Sequence, residues 1–366
     1  MTSVRQRGAL DVAVFALAAG LAALVVAAAM GPRSLPLSRD PLDLEALRTL
    51  GLRLDRLGRS DEADQVLSFV GRRTWRDGPT QVWLMRRRLA QDRLEEAFES
   101  ADSLLRRDAE ETTRPALFAL FVAAAEHDDA RAALTTRLAA APWWRADFLQ
   151  TLGARADVAG ARTVFAALAA GPTPPAPAEY GPFINRLVSE RDYVEALSAW
   201  RQIARKAGTE GLRDGAFSGV SDHTPFTWSA AEGVGGASAA APSPDGSAIR
   251  TLRVDYDGYA SPLMPAQLLV PGPERYVVTW RERIDPPGSE RLFWRVRCAD
   301  SGQVLARAPA VDSGFAAPSV WRAKSMDVQP PSVGCAGQWL ELATAAGERR
   351  EAVTAWFADF QMRPGP

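Results

Sequence analysis

The sequence predicts a multidomain α + β chain with one apolar N-terminal helix, an α-helical array and a C-terminal antiparallel β-sandwich. Three observations carry this. Residues 12–30 contain no charge, residues 44–207 repeat a helical pattern with alanines at near-regular intervals, and residues 208–366 break into short alternating runs punctuated by glycine and proline. A chain of 366 residues, 47% hydrophobic and 24% charged, is long enough for more than one core.

The totals also exclude function classes. A net charge of -1 leaves no basic field to neutralise a run of phosphates, so no nucleic-acid partner is expected. Two histidines, His127 and His223, and two cysteines are too few and too scattered for a zinc site, and neither a metal nor a cofactor is expected. The cations are almost all arginine, with only Lys206 and Lys324 besides, and alanine is abundant, which reads as the codon bias of a GC-rich bacterial genome.

The first element, Val12 to Met30, reads "VAVFALAAGLAALVVAAAM". As a helix it spans roughly 28 Å, close to one bilayer core. Arg5 and Arg7 precede it, and Arg33 and Arg39 follow and weaken the asymmetry. We expect residues 1–11 in the cytoplasm, residues 12–30 as a signal anchor crossing a bacterial inner membrane once, and the bulk of the chain in the periplasm. The rival is a cleaved signal peptide, for which "AAAMG" offers small residues; either reading exports the rest. Residues 31–43, "GPRSLPLSRDPLD", with three prolines, read as a linker.

Helices follow over residues 44–207. In "LGLRLDRLGRSDEADQVL", from Leu50, Leu54 and Leu57 share one helical face, Gly58 ends the helix, and Ser60 or Asp61 stands where a cap would start the next. Ala63 recurs in similar settings as Ala97, Ala130, Ala161 and Ala196, in steps of 34, 33, 31 and 35 residues. A small residue there allows close packing of the paired helix, while Leu67, Leu134, Phe165 and Trp200, four positions on, fill the space between hairpins; Ala101 is the exception.

This pattern resembles the tetratricopeptide repeat, most clearly where Leu50-Gly51, Leu54, Gly58, Ala63 and Leu67 match its signature. The later units depart from it, lacking the paired glycines and carrying the insertion "AGPTPPAPAEYGP" before the fifth. The resemblance implies stacked hairpins with a concave surface for an envelope protein partner, and Arg48, Asp55 and Arg86 are the groove candidates.

Strands occupy residues 208–366: "PFTWSA", "IRTLRVDYDGY", "AQLLV", "RYVVTWRERI", "RLFWRVRCAD", "QVLARA", "AKSMDV", "QWLEL" and "TAWFADFQM". The Gly-rich stretch 232–246 reads as a flexible loop without a phosphate-loop lysine. Alternation sends Leu292, Trp294, Val296 and Cys298 inward with Phe293, Arg295 and Arg297 outward. By the same rule Tyr276, Val278, Trp280 and Ile284 go in and Arg281 out, Leu252, Val254 and Tyr256 go in and Tyr259 out, and Leu340 and Leu342 go in while Trp339 and Glu341 go out.

The order "RDGAFSG", Trp228, "QLLVPGPERYVVTWRER" and "WFADFQM" is similar to the galactose-binding-like jelly rolls of carbohydrate-binding modules. Ser218 stands where that pattern opens with a glutamate, which puts a structural calcium in doubt. The likeness implies polysaccharide as a ligand. Rings stack on a pyranose while charged groups bind its hydroxyls, so the carbohydrate-binding candidates are Tyr259, Arg281, Arg295, Trp339 and Glu341. In an exported chain Cys298 and Cys335 are expected to form a disulfide.

No catalytic constellation is visible: Asp255 and Asp257 adjoin a turn, and neither histidine has a recognisable partner. The expected function is therefore a non-enzymatic, membrane-anchored binding protein linked to making or exporting a cell-surface polysaccharide. Its rivals are an envelope scaffold that binds only protein and, more distantly, a jelly-roll lyase or hydrolase.

Overall fold

A computed structural model describes residues 42–107, 113–204, 211–219, 221–231, 233–287, 289–308, 320–345 and 350–365. The expected signal anchor at 12–30 lies outside them. Among the described residues no helix is long and apolar enough to cross a membrane.

The first helices pair as the alanine spacing requires. α1 (Leu44–Arg56) starts where the Asp43 carboxylate accepts the Glu45 and Ala46 amides, and it packs on α2 (Ser60–Arg73). A Cβ on Gly51 would sit 2.5 Å from Leu67, so only glycine permits this crossing. Neither Ser60 nor Asp61 caps α2; the Ser60 hydroxyl instead donates to Asp55 across the hairpin at 2.9 Å.

α3 (Gly78–Ala90) and α4 (Leu94–Arg107) form the next hairpin, followed by α5 (Arg114–Ala125) with α6 (Asp128–Ala139) and α7 (Arg145–Arg155) with α8 (Val158–Ala170). Second helices stack in series, α4 on α6 and α6 on α8, while α5 packs on α7. Ala63, Ala97, Ala130 and Ala161 are all buried at these crossings, as are Leu67, Leu134 and Phe165 beside them. Phe98, Phe118, Phe121, Trp144 and Phe148 form one aromatic core, with centroids 5.2 to 6.5 Å apart.

The chain divides into two compact units at Pro175 and Ala176. The fifth hairpin, α9 (Pro177–Ser189) with α10 (Tyr193–Ile203), thus groups with the sandwich although its Ala196 keeps the spacing of the array.

Among the described residues the second unit adds nine strands: β1 (Gly236–Pro242), β2 (Arg250–Tyr256), β3 (Ala266–Leu269), β4 (Tyr276–Asp285), β5 (Leu292–Cys298), β6 (Val304–Arg307), β7 (Arg322–Val328), β8 (Gln338–Thr344) and β9 (Val353–Pro364). They form two antiparallel sheets, β1-β2-β9-β4-β7 and β3-β8-β5-β6. Every connection except β1 to β2 and β5 to β6 changes sheet, which is jelly-roll connectivity. Between the sheets lies a core that includes Trp228, Val254, Trp280, Trp294, Leu340, Phe357 and Phe360. Trp294 touches the rings of Trp228, Phe357 and Phe360 at 4.8 to 5.6 Å.

Two expectations about the strands are corrected. Residues 236–242, expected to be loop, form β1 along the whole of β2, because alanine and glycine can fill an edge ladder through backbone bonds without an apolar signature. Conversely "PFTWSA" is not a strand; its amides and carbonyls make isolated bonds, Leu268 N–H to Pro225 at 2.7 Å and Ser229 N–H to Ala266 at 3.0 Å.

A disulfide joins Cys298, at the end of β5, to Cys335, before β8, with Cα atoms 5.5 Å apart. Closing a 37-residue loop contributes about 4 kcal/mol in the loop-entropy model.

Candidate functional site

The site is built on the outer face of the four-stranded sheet. Register places Arg295 of β5 opposite Glu341 of β8, Arg297 opposite Trp339, and Leu268 of β3 on the other side of Trp339. Period-two alternation does the rest, turning Leu292, Trp294, Leu340 and Leu342 into the core and Arg295, Arg297, Trp339 and Glu341 outward.

Glu341 is shared by both arginines. Arg295 Nε donates to its Oε1 at 2.7 Å, and Arg297 donates Nε to Oε1 at 3.1 Å and Nη2 to Oε2 at 3.0 Å. Burial alone pushes the Glu341 carboxyl up, but the hydrogen bonds and charge of Arg297, then those of Arg295, outweigh it and hold the group below the ordinary carboxylate range. It stays ionised, and the bond to Glu341 raises Arg297 in turn.

The α9–α10 hairpin is fixed to the sandwich by a buried carboxylate. Asp222 accepts from Tyr180 Oη at 3.1 Å, Trp200 Nε1 at 2.8 Å, Thr224 Oγ1 at 2.6 Å, Thr224 N at 3.0 Å and Thr227 Oγ1 at 2.9 Å. Its burial raises the carboxyl, and the donors from Thr224, Trp200 and Thr227 more than reverse this. Arg213 lies over the Trp200 ring at 4.2 Å. Its guanidinium is lowered to about 10, first by burial and then by Arg201. At the other end of the hairpin a Cβ on Gly337 would meet the Tyr193 ring at 2.7 Å, so glycine is required there, and Tyr193 Oη donates to Asp300 at 3.1 Å.

These parts enclose a cleft of about 1040 Å³, lined by Trp339, Arg295, Arg297 and Glu341 from the sheet, Asn185 and Trp200 from the hairpin, and Arg213, Asp214, His223 and Thr224 from the segment between. That segment holds Asp214, Phe217 and His223 at positive φ, and it is braced where Asp214 accepts from Ser218 N, Ser218 Oγ and Gly219 N, each at 2.8 Å.

Three of the five sequence candidates, Arg295, Trp339 and Glu341, therefore line one cleft. The other two do not join them. Arg281 lies on β4 in the five-stranded sheet, bound to Asp359 at 2.6 Å and 5.4 Å from the Trp321 ring. On that sheet Trp356 pairs with Arg253 and Arg283 on either side. Tyr259 is exposed in the turn after β2, where the Asp257 carboxylate takes its amide at 2.9 Å. Asp257 is thus a turn residue, and Asp255 accepts from Arg253 and Thr354.

Arg297 was legible from its alternation with Arg295. Trp200, expected as a spacer between hairpins, is buried and lines the cleft as well. Of the groove candidates in the first unit, Arg48 binds Asp77 at 2.7 Å and Glu45 at 3.4 Å, Asp55 accepts from Ser60, and Arg86 is exposed on α3. Among the described residues no three His, Cys, Asp or Glu side chains could hold a metal ion.

No protein-family model matches the chain, and no curated protein matches it in sequence. Among solved structures it is similar to a putative sugar binding protein from Bacteroides thetaiotaomicron VPI-5482 at 10% identity, over 38% of this chain and 88% of that one, with a TM-score of 0.27. It is also similar to a CBM4 structure at 13% identity, over 42% of this chain and 99% of that one, with a TM-score of 0.31. A third is the CBM22-1 xylan-binding domain of Paenibacillus barcinonensis Xyn10C, at 17% identity over 43% of this chain and 96% of that one, with a TM-score of 0.26.

Proposed function

We propose that the protein is a non-enzymatic binder of polysaccharide, anchored in a bacterial inner membrane through residues 12–30 with its bulk in the periplasm, and that it serves the making or export of a cell-surface polysaccharide. The observation that carries the binding reading is the cleft, in which a half-buried tryptophan ring stands beside two arginines and a carboxylate held in fixed positions. A ring of this kind takes the apolar face of a pyranose, and charged donors nearby take its oxygens. The uncharged 19-residue span supports the anchor, and the disulfide suits an oxidising compartment. The helical array of the first unit, with Arg48, Asp55 and Arg86, serves an envelope protein partner in this reading.

Affinity electrophoresis of the full chain in detergent against a panel of bacterial surface polysaccharides tests it. Trp339→Ala is expected to weaken retention tenfold or more while leaving stability within about 0.5 kcal/mol. Trp294→Ala, one strand over and facing inward, is expected to cost about 3–5 kcal/mol and to unfold the second unit. Retention of no polysaccharide would sink the reading in favour of a scaffold that binds only protein.

A further inference from the structure

We infer that the cleft is built for an acidic saccharide, with the sugar ring on Trp339 and the sugar carboxylate on Arg295 and Arg297. This rests on the glycan reading above and names its ligand class.

On the wall made by β5 and β8 two guanidinium groups, Arg295 and Arg297, share one carboxylate, Glu341, so one positive charge is left over there.

Both carboxylates lining the cleft are already engaged by the protein: Asp214 by the Ser218 and Gly219 amides and the Ser218 hydroxyl, Glu341 by four arginine N–H contacts. In contrast, Arg295 and Arg297 spend only Nε and Nη2 on Glu341, and among the described residues Nη1 of each makes no hydrogen bond. Their side chains keep 34% and 30% of their exposure. The wall around Trp339 therefore offers charged donors with no charged acceptor to match. A neutral sugar presents hydroxyls that both donate and accept; a uronic acid presents a planar acceptor that a guanidinium binds through two N–H groups.

Trp339 and Arg297 are directly paired across β8 and β5, which puts their Cβ atoms about 5 Å apart. A pyranose stacked on the ring then has the exocyclic carboxylate of a uronic acid within reach of the adjacent guanidinium. Glu341 keeps both arginines in place, and its side chain is only 14% exposed.

The test is a titration of the full chain with oligogalacturonate and with mannuronate and guluronate oligomers, each beside the same oligomer after reduction of its carboxyls to neutral hydroxymethyl groups. At least one uronate is expected to bind tenfold or more tightly than its reduced counterpart, and rising salt is expected to erase the difference. Arg297→Gln should remove the preference while leaving the weaker neutral binding, Arg297→Lys should retain part of it, and Trp339→Ala should weaken both forms. Equal or tighter binding of the reduced oligomers would overturn the acidic-sugar inference and leave the glycan reading standing. Binding of neither form would overturn both. A preference that survives at Arg297→Gln and disappears at Trp356→Ala would move the site to the five-stranded sheet and overturn the assignment.

Discussion

Each unit buries one aspartate under a tryptophan, and the two aspartates are treated differently. In the helical unit Asp102 accepts Trp144 Nε1 at 2.7 Å and is neutralised by Arg106 at 3.0 Å and by Arg137. In the sandwich unit Asp222 accepts Trp200 Nε1 at 2.8 Å together with a tyrosine, two threonine hydroxyls and an amide. The first is an ion-pair network at a helix surface, whose arginine side chains keep 52% and 27% of their exposure. The second is a carboxylate solvated by protein dipoles, tying together segments from α9 to residue 227. The contrast follows from architecture. A stacked helical array meets only its neighbours, so a buried charge stays near solvent. A sandwich with an attached hairpin closes long loops, and its buried groups must be satisfied from within.

Removing the two carboxylates should separate these cases. Asp222→Ala leaves five donors without their acceptor and is expected to cost about 3–5 kcal/mol. Amide exchange followed by mass spectrometry should show α9 and α10 losing protection. Asp102→Ala is expected to cost about 1–3 kcal/mol, because Arg106 and Arg137 can turn to water. Equal costs would dissolve the distinction.

A smaller effect tests the array itself. Leu134 is fully buried in α6, which packs on α4, α5 and α8. Leu134→Ala is expected to cost about 2–4 kcal/mol, with exchange rising in those four helices and unchanged in α1 and α2. A uniform rise from α1 to α8 would show that the unit melts as one body.

The smallest expected effect is acid sensitivity. The Asp222 and Glu341 carboxyls are both held below their ordinary values, so the folded state releases these protons more readily than the unfolded chain. Their contribution is present above about pH 4 and is lost as the pH falls through the folded values. The denaturation midpoint of the second unit should therefore drop below pH 4, and by less in Asp222→Asn, whose neutral amide no longer titrates.

Much of the fold was legible because burial leaves a period. Alanines spaced by about one hairpin marked the helix crossings, and all five, Ala63 to Ala196, are buried. Alternation placed Trp294 in the core and Trp339 outside it. β1 was not legible, since an edge strand of small residues is held by its backbone alone. The candidate site was half legible for a different reason. Alternation tells a strand's inner face from its outer one, and Arg281 and Arg295 do both point outward; it does not tell which sheet the strand joins.

The sequence by itself determined the order of helices and strands, the inward and outward faces, and the cysteines available for a bridge. These depend on neighbours a few residues apart, whose side chains meet by local geometry. Only the tertiary structure decided that β4 and β5 lie in different sheets, parting Arg281 from Arg295, and that α9 and α10 wall a cleft on the sandwich. Those outcomes depend on contacts such as Tyr180 with Asp222, or Arg295 with Glu341, 42 and 46 residues apart. No local pattern records them, because the loop closure that brings such partners together is settled by the whole core at once.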